Sequence, residues 1–212
     1  NIEKYQGDMN NKNLIAGEVA IAKGMLNQIS SSGNTGSWAG ISELIGVYGT
    51  NYFVRAMVAD IGLGANKASD AVYLVWKGID GNKKYKLQMD EFPDVQQFWS
   101  ITTYNSSTFL VAGDLGDGTK QISNINGSLK SSCIANRIKG IKVTNNGVKY
   151  LNSSQPLDNV LVILSADIPT EDCYWLPTQK GEMCSLTARF YKPSIAIQNG
   201  EWTLPNIEEI DN

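Results

Sequence analysis

The sequence predicts a mainly β protein, an antiparallel β-sandwich preceded by a helical segment. From residue 67 onward, short runs rich in Val, Ile, Tyr and Trp are separated by Gly, Asn and Asp turns about every 8 to 15 residues, the rhythm of a sandwich or barrel. Before residue 67 the apolar spacing is helical. The length of 212 residues with 42% hydrophobic content suits a domain that buries about 70% of its unfolded surface and needs no staples. The chain thus divides into a helical segment over 1–66 and a β-sandwich over 67–212.

Over 13–30 the residues Leu14, Ile15, Val19, Ala22, Met25, Leu26 and Ile29 recur every three or four positions, one face of an amphipathic helix. Residues 30–40 are rich in Ser, Gly and Asn and read as a loop. A second helix follows, capped by Ser42 and carrying Leu44, Ile45, Tyr48, Tyr52, Met57, Val58 and Ile61. Gly46 and Gly49 each weaken it by about 1 kcal/mol relative to Ala, so a break falls near Gly49, and Gly62 and Gly64 end it.

Strands are expected at 71–79, 84–89, 98–104, 108–112, 140–144, 148–151, 159–166 and 185–191. Asp80-Gly81-Asn82 and Asn145-Asn146-Gly147 read as hairpin turns, because Asn and Gly reach positive φ at little cost. Asn-X-Ser/Thr triplets at Asn105, Asn126 and Asn152 read as turns before they read as glycosylation acceptors.

A net charge of −3 and an isoelectric point near 5.0 leave no basic field for nucleic acid. No apolar run approaches the roughly 18 residues of a membrane span, so no membrane span is expected. The polar start at Asn1 lacks the apolar centre of a signal peptide and reads as an excised piece of a longer protein. Three cysteines, Cys133, Cys173 and Cys184, have neither zinc spacing nor an even count, although Cys173 and Cys184 could pair across a turn.

The sequence contains no His, which removes Ser/His/Asp and Cys/His nucleophile systems and the usual zinc hydrolases. Proton transfer falls to Asp, Glu, Tyr, Lys and Cys. Carboxylate pairs for glycoside hydrolysis could come from Asp90, Glu91, Asp94, Asp114, Asp117, Glu171 or Asp172, each of which alone reads as a solvated turn acid. A lyase would instead need a base for the proton beside a uronate carboxylate and a cation to neutralise that group, roles open to Tyr and to Arg or Lys.

The run Gly113 to Gly118 resembles part of a calcium loop but lacks the distal Glu, so no metal and no cofactor is expected. Among five Trp residues, Trp175 before Leu176-Pro177 reads as a turn and as the best ring-stacking platform, while Trp76 and Trp99 sit in strands.

Several separated motifs carry a resemblance. Tyr52, Arg55, Ala56, Ala59 and the run Gly62 to Asn66 come first, followed by Phe98 to Tyr104, Trp175-Leu176-Pro177, Arg189 to Pro193, and Gly200-Glu201-Trp202 with Pro205. In this order they resemble the domain of unknown function 1214 family, from about Tyr52 to Ile207. The segment 113–139 departs from the family pattern, and the N-terminal partner domain of many members is replaced by helix and loop.

The resemblance implies a jelly-roll-like sandwich belonging to a secreted or envelope-associated protein. It also relates the chain to a cell-wall-degrading domain at the end of large virion proteins of chlorella-infecting viruses. On that basis the expected activity is degradation of algal-type cell-wall polysaccharide by a lyase or hydrolase, with a non-catalytic carbohydrate-binding, adhesion or structural module as the alternative. The expected partners are polysaccharide and neighbouring domains of a parent protein, and the expected location is virion-associated or extracellular. Tyr104, Arg189 and Arg55, which lie in the motifs, become the catalytic candidates, and Trp175, Trp99, Tyr191 and Asp114 the substrate-binding candidates.

Overall fold

The computed structural model describes residues 20–21, 23–24, 35–40, 45–62, 64–108, 133–135, 139–152 and 159–211. The chain forms two compact units, one drawn from Asn1–Gly33 and Tyr48–Ala65, the other from Asn34–Val47 and Asn66–Asn212.

In the first unit, Ala20, Ile21, Lys23 and Gly24 are helical, and the rest of the helix expected over 13–30 lies outside the described residues. The helix expected from Ser42 begins instead at Tyr52, as α1 (Tyr52–Gly62). The reason lies in the backbone: Gly46 and Gly49 take φ of +77° and +52°, which an α-helix does not contain. Asn51 caps the new start, its Oδ1 accepting the Val54 N–H at 3.1 Å.

The second unit is the β domain. Its strands are β1 (Trp38–Ala39), β2 (Ala71–Asp80), β3 (Lys84–Met89), β4 (Trp99–Asn105), β5 (Cys133–Ala135), β6 (Lys139–Thr144), β7 (Gly147–Asn152), β8 (Val160–Ser165), β9 (Cys173–Pro177), β10 (Met183–Tyr191) and β11 (Glu208–Ile210). A short helix, α2 (Ile195–Gln198), precedes β11. The strand expected over 108–112 falls almost wholly outside the described residues, and Thr108 itself is in a turn.

Hydrogen bonds link the strands in the order β1-β2-β10-β4-β5-β6-β9-β8-β3-β11, with β7 beside β6. The strand ladders are antiparallel except β8 against β9. The path folds back on itself. At one end Trp38 of β1 donates its Nε1–H to the Pro205 carbonyl, 2.8 Å away and only three residues before β11 at the other end.

The folded-over sheet encloses one core. Val72, Trp76, Trp99, Ile101, Leu186 and Phe190 enter it from the β2–β10–β4 side, and Leu87, Met89, Val162, Leu164 and Leu176 from the β3–β8–β9 side. Each large apolar side chain so buried contributes about 1.5–3 kcal/mol relative to exposure. This is a mainly antiparallel β-sandwich.

Two turns expected to act alike do different things. Asn145-Asn146 closes the β6–β7 hairpin, with Thr144 opposite Gly147. Asp80-Gly81-Asn82 is not a hairpin: β2 pairs with β10 and β1, whereas β3 pairs with β8 and β11, so the turn is an arch between the two layers. The arch is tied by Tyr85, whose hydroxyl accepts the Asp80 N–H at 3.0 Å.

Trp175 does not lie in a turn. It sits mid-strand in β9, a five-residue run buried throughout, and its Nε1–H donates to the Ser165 carbonyl at 3.0 Å. Cys173 and Cys184 are both free and buried, so the disulfide between them does not form. Asn105 is also buried and acts as a turn residue, its Oδ1 accepting the backbone N–H groups of Ser107 and Thr108.

Candidate functional site

Strands alternate their side chains between two faces, so the register of β2, β10 and β4 determines what shares the outer surface. On β10, Leu186, Ala188 and Phe190 point into the core, which sends Ser185, Thr187, Arg189 and Tyr191 outward. Arg189 lies opposite Tyr73 on β2 and Ser100 on β4, and Thr187 lies opposite Thr102. Ser185 lies opposite Tyr104. Phe98 stands beside Tyr191, whose N–H donates to the Phe98 carbonyl.

This outer face gathers Phe98, Tyr191, Tyr73, Arg189 and Tyr104. The Phe98 and Tyr191 rings stack at 4.3 Å with planes 23° apart, and Tyr73 meets Tyr191 edge-on at 6.5 Å. Asn66 Nδ2 donates to the Tyr73 hydroxyl at 3.0 Å. Arg189 Nη2 donates to the Tyr104 hydroxyl at 2.8 Å, and its guanidinium carbon lies 5.4 Å from the centre of the Tyr104 ring.

Among the described residues the ion pairs are all made by lysines, and none involves Arg189. Among the described residues no carboxylate pairs with this half-buried guanidinium, whose five donors form a fork that matches a carboxylate. The local field reaches Tyr191: burial pushes its phenol up, the nearby Tyr73 hydroxyl adds to this, and Arg189 pulls the other way.

Three of the candidates from sequence, Tyr104, Arg189 and Tyr191, therefore meet on one surface. Trp99 and Trp175 do not join them: each is 2% exposed, which removes both as ring platforms. Trp99 stacks on Phe92 inside the sandwich. Arg55 is exposed on α1, in the first unit. Asp114 and the remainder of the calcium-like run lie outside the described residues.

Of the acids proposed for a hydrolase, three of the five described have side-chain partners, while Glu91 and Asp94 are exposed. Glu171 pairs with Lys84 at 2.5 Å, Asp172 pairs with Lys142, and Asp90 accepts from Gln88. Among the described residues no group of three or more His, Cys, Asp or Glu could hold a metal. A cavity of about 430 Å³ at the β2–β3 arch is lined by Asn82, Lys83, Lys84, Asp167, Thr170 and Lys180. Two of its lysines are already matched, Lys83 by Glu209 and Lys84 by Glu171, and it contains none of the candidate residues.

Sequence reasoning passed over Tyr73 and Phe98. Period-two alternation would have put Phe98 on the Tyr104 face, but only the pairing of β2 with β10 brings in Tyr73.

A model of the family described as "Protein of unknown function (DUF1214)" matches residues 76–131, which supports that family over the match. No curated protein matches the chain. Among solved structures, the VPA0106 protein from Vibrio parahaemolyticus is similar at 20% identity and a TM-score of 0.55. The match covers 98% of this chain and 47% of that one, so the chain spans less than half the length of this relative. An uncharacterised protein from Burkholderia cenocepacia is similar at 14% identity and a TM-score of 0.40, over 74% of this chain and 32% of that one. The Vibrio likeness shows the fold alone.

Proposed function

We propose that this domain acts on acidic cell-wall polysaccharide through the outer face of β2, β10 and β4, cleaving it by β-elimination. The observation that carries the reading is the Arg189 guanidinium, free of any described carboxylate and bonded to the Tyr104 hydroxyl. A fork of that kind matches a uronate carboxylate in a bidentate pair. Such a pair neutralises the carboxylate and acidifies the carbon-bound proton beside it.

Tyr104 is the proton acceptor in this step. The electron pair left behind forms a carbon–carbon double bond as the neighbouring bond to the glycosidic oxygen breaks. The proton on Tyr104 then passes to the departing oxygen, which restores charge and atom balance. The engaged state of Glu171 and Asp172 favours this route over a two-carboxylate hydrolase.

A second reading, a non-catalytic carbohydrate-binding or adhesion module, is favoured by Phe98, whose 45% exposed ring offers a flat apolar surface. On either reading the parent is a virion-associated or secreted protein in which this domain has neighbours. The resemblance to virion and envelope domains motivates that reading, and the twofold greater length of the Vibrio relative is consistent with it.

The test is to incubate the purified chain with algal walls and uronic-acid polysaccharides while following soluble reducing ends and the ultraviolet absorbance of unsaturated uronate. Both signals together indicate elimination, and reducing ends alone indicate hydrolysis. Retention on the polysaccharide without release indicates the binding module. Neither release nor retention removes both readings.

A further inference from the structure

Phe98 immediately precedes β4 and Tyr104 nearly closes it, and period two puts them on the same outer face with Ser100 and Thr102 between them. Six residues of extended chain separate them by about 20 Å. The small residues in between are covered: Ser100 and Thr102 are buried although they point away from the core. The Arg189 side chain, rooted opposite Ser100 and bonded to Tyr104, bridges this interval. The face is thus a strip with a cation and a phenol toward one end and a stacked ring pair at the other.

The ring pair is built to hold one plane. Tyr191 backs Phe98 at 4.3 Å, and Tyr73, itself held by Asn66, braces Tyr191 from the edge. Phe98 remains 45% exposed while its ring is stacked against Tyr191. An apolar ring fixed in this way can stack on the C–H face of a sugar with little ordering to pay.

Resting on the acidic-polysaccharide reading above, we infer that Phe98 is a ring-stacking subsite displaced along the strip from Arg189. The ligand is therefore an oligosaccharide of several units, with one uronate carboxylate on Arg189 and the ring face of another unit on Phe98. The platform that the sequence suggested at Trp175 lies here instead.

The experiment is calorimetric titration of the whole chain with uronic-acid oligosaccharides from the monosaccharide upward, beside neutral oligosaccharides of equal length. Affinity rises with length in the native chain. Phe98→Ala lowers affinity for the longer acidic ligands about tenfold and leaves the monosaccharide unchanged. Phe98→Trp retains the length dependence, which separates a lost platform from a damaged fold.

Unchanged length dependence in Phe98→Ala, with binding abolished by Arg189→Ala, overturns the subsite and leaves the uronate reading standing. Binding of neutral oligosaccharides alone, still dependent on Phe98, keeps the platform and removes the uronate reading. No binding of either series overturns both.

Discussion

Arg189 donates to Tyr104 across two rows of cross-strand pairs, its Nη2 lying 2.8 Å from a hydroxyl whose own residue is registered against Ser185 rather than Arg189. The reach is diagonal, from the row of Ser100 to the row of Ser185. Because the acceptor is a phenol and not a carboxylate, the positive charge is held in place without being cancelled.

Tyr104→Phe should therefore leave the sandwich folded, with a loss of about 0.5–1.5 kcal/mol for one partly buried hydrogen bond. Release of unsaturated uronate should stop while retention on acidic polysaccharide persists. Arg189→Lys should keep the charge but lose the fork and weaken retention; Arg189→Ala should abolish it. Equal release from native and Tyr104→Phe protein would count against the mechanism.

Trp175 shows why part of the site was legible in sequence and part was not. The alternating strands around Arg189 and Tyr104 could be read locally because one face is apolar and the other polar. β9 could not. Cys173-Tyr174-Trp175-Leu176-Pro177 is buried on both faces and has no alternation, and its terminal Pro resembles a turn signal. The arch at Gly81 and the two-residue strand at Trp38 likewise depend on distant partners, Glu182 and Trp76, which no local pattern names.

If Trp175 is a core residue, Trp175→Ala should destabilise the β domain by about 3–5 kcal/mol. Trp175→Phe should cost less, about 1–3 kcal/mol, since Ser165 loses its donor but most of the volume remains. The denaturant midpoint measures both. A midpoint unmoved by Trp175→Ala, with carbohydrate binding lost, would restore the surface-platform role.

The two described thiols should be inert. Burial pushes Cys173 up to about 11 and raises Cys184 as well, so neither supplies thiolate at neutral pH. Labelling of the native chain with a thiol reagent, followed by digestion, should recover peptides of Cys173 and Cys184 unmodified, and denaturation should expose both. Rapid native labelling of either would contradict the packing described.

Acid should loosen the β3–β9 side through Glu171. The hydrogen bond from Lys84, with help from the Thr170 N–H, holds the Glu171 carboxyl below its usual range. A carboxyl lowered on folding contributes stability that is fully present above its unfolded value of about 4.3 and is lost as pH falls through the folded value. The pair is partly exposed, so the effect is below about 1 kcal/mol. Lys84→Met should shrink the drop in urea midpoint between neutral and acid pH, and an undiminished drop would assign it to other carboxyls.

Gly81 offers a test of the arch itself. A Cβ at this position would lie 1.8 Å from the Gln179 carbonyl oxygen and 2.8 Å from that of Glu182. Both obstacles are backbone, and the Gly81 N–H already donates to the Glu182 carbonyl at 2.8 Å, so neither strand can move without breaking that bond. Gly81→Ala should cost about 3 kcal/mol or more. Gly147→Ala is the control: its φ of +102° strains a side chain, but nothing lies within 4 Å of the added carbon. The expected order in thermal midpoint is native, then Gly147→Ala, then Gly81→Ala. An arch that merely linked two paired strands would tolerate Ala as the β6–β7 hairpin does, so equal midpoints for the two variants would mean that β2 and β3 are not clamped against the β9–β10 connection.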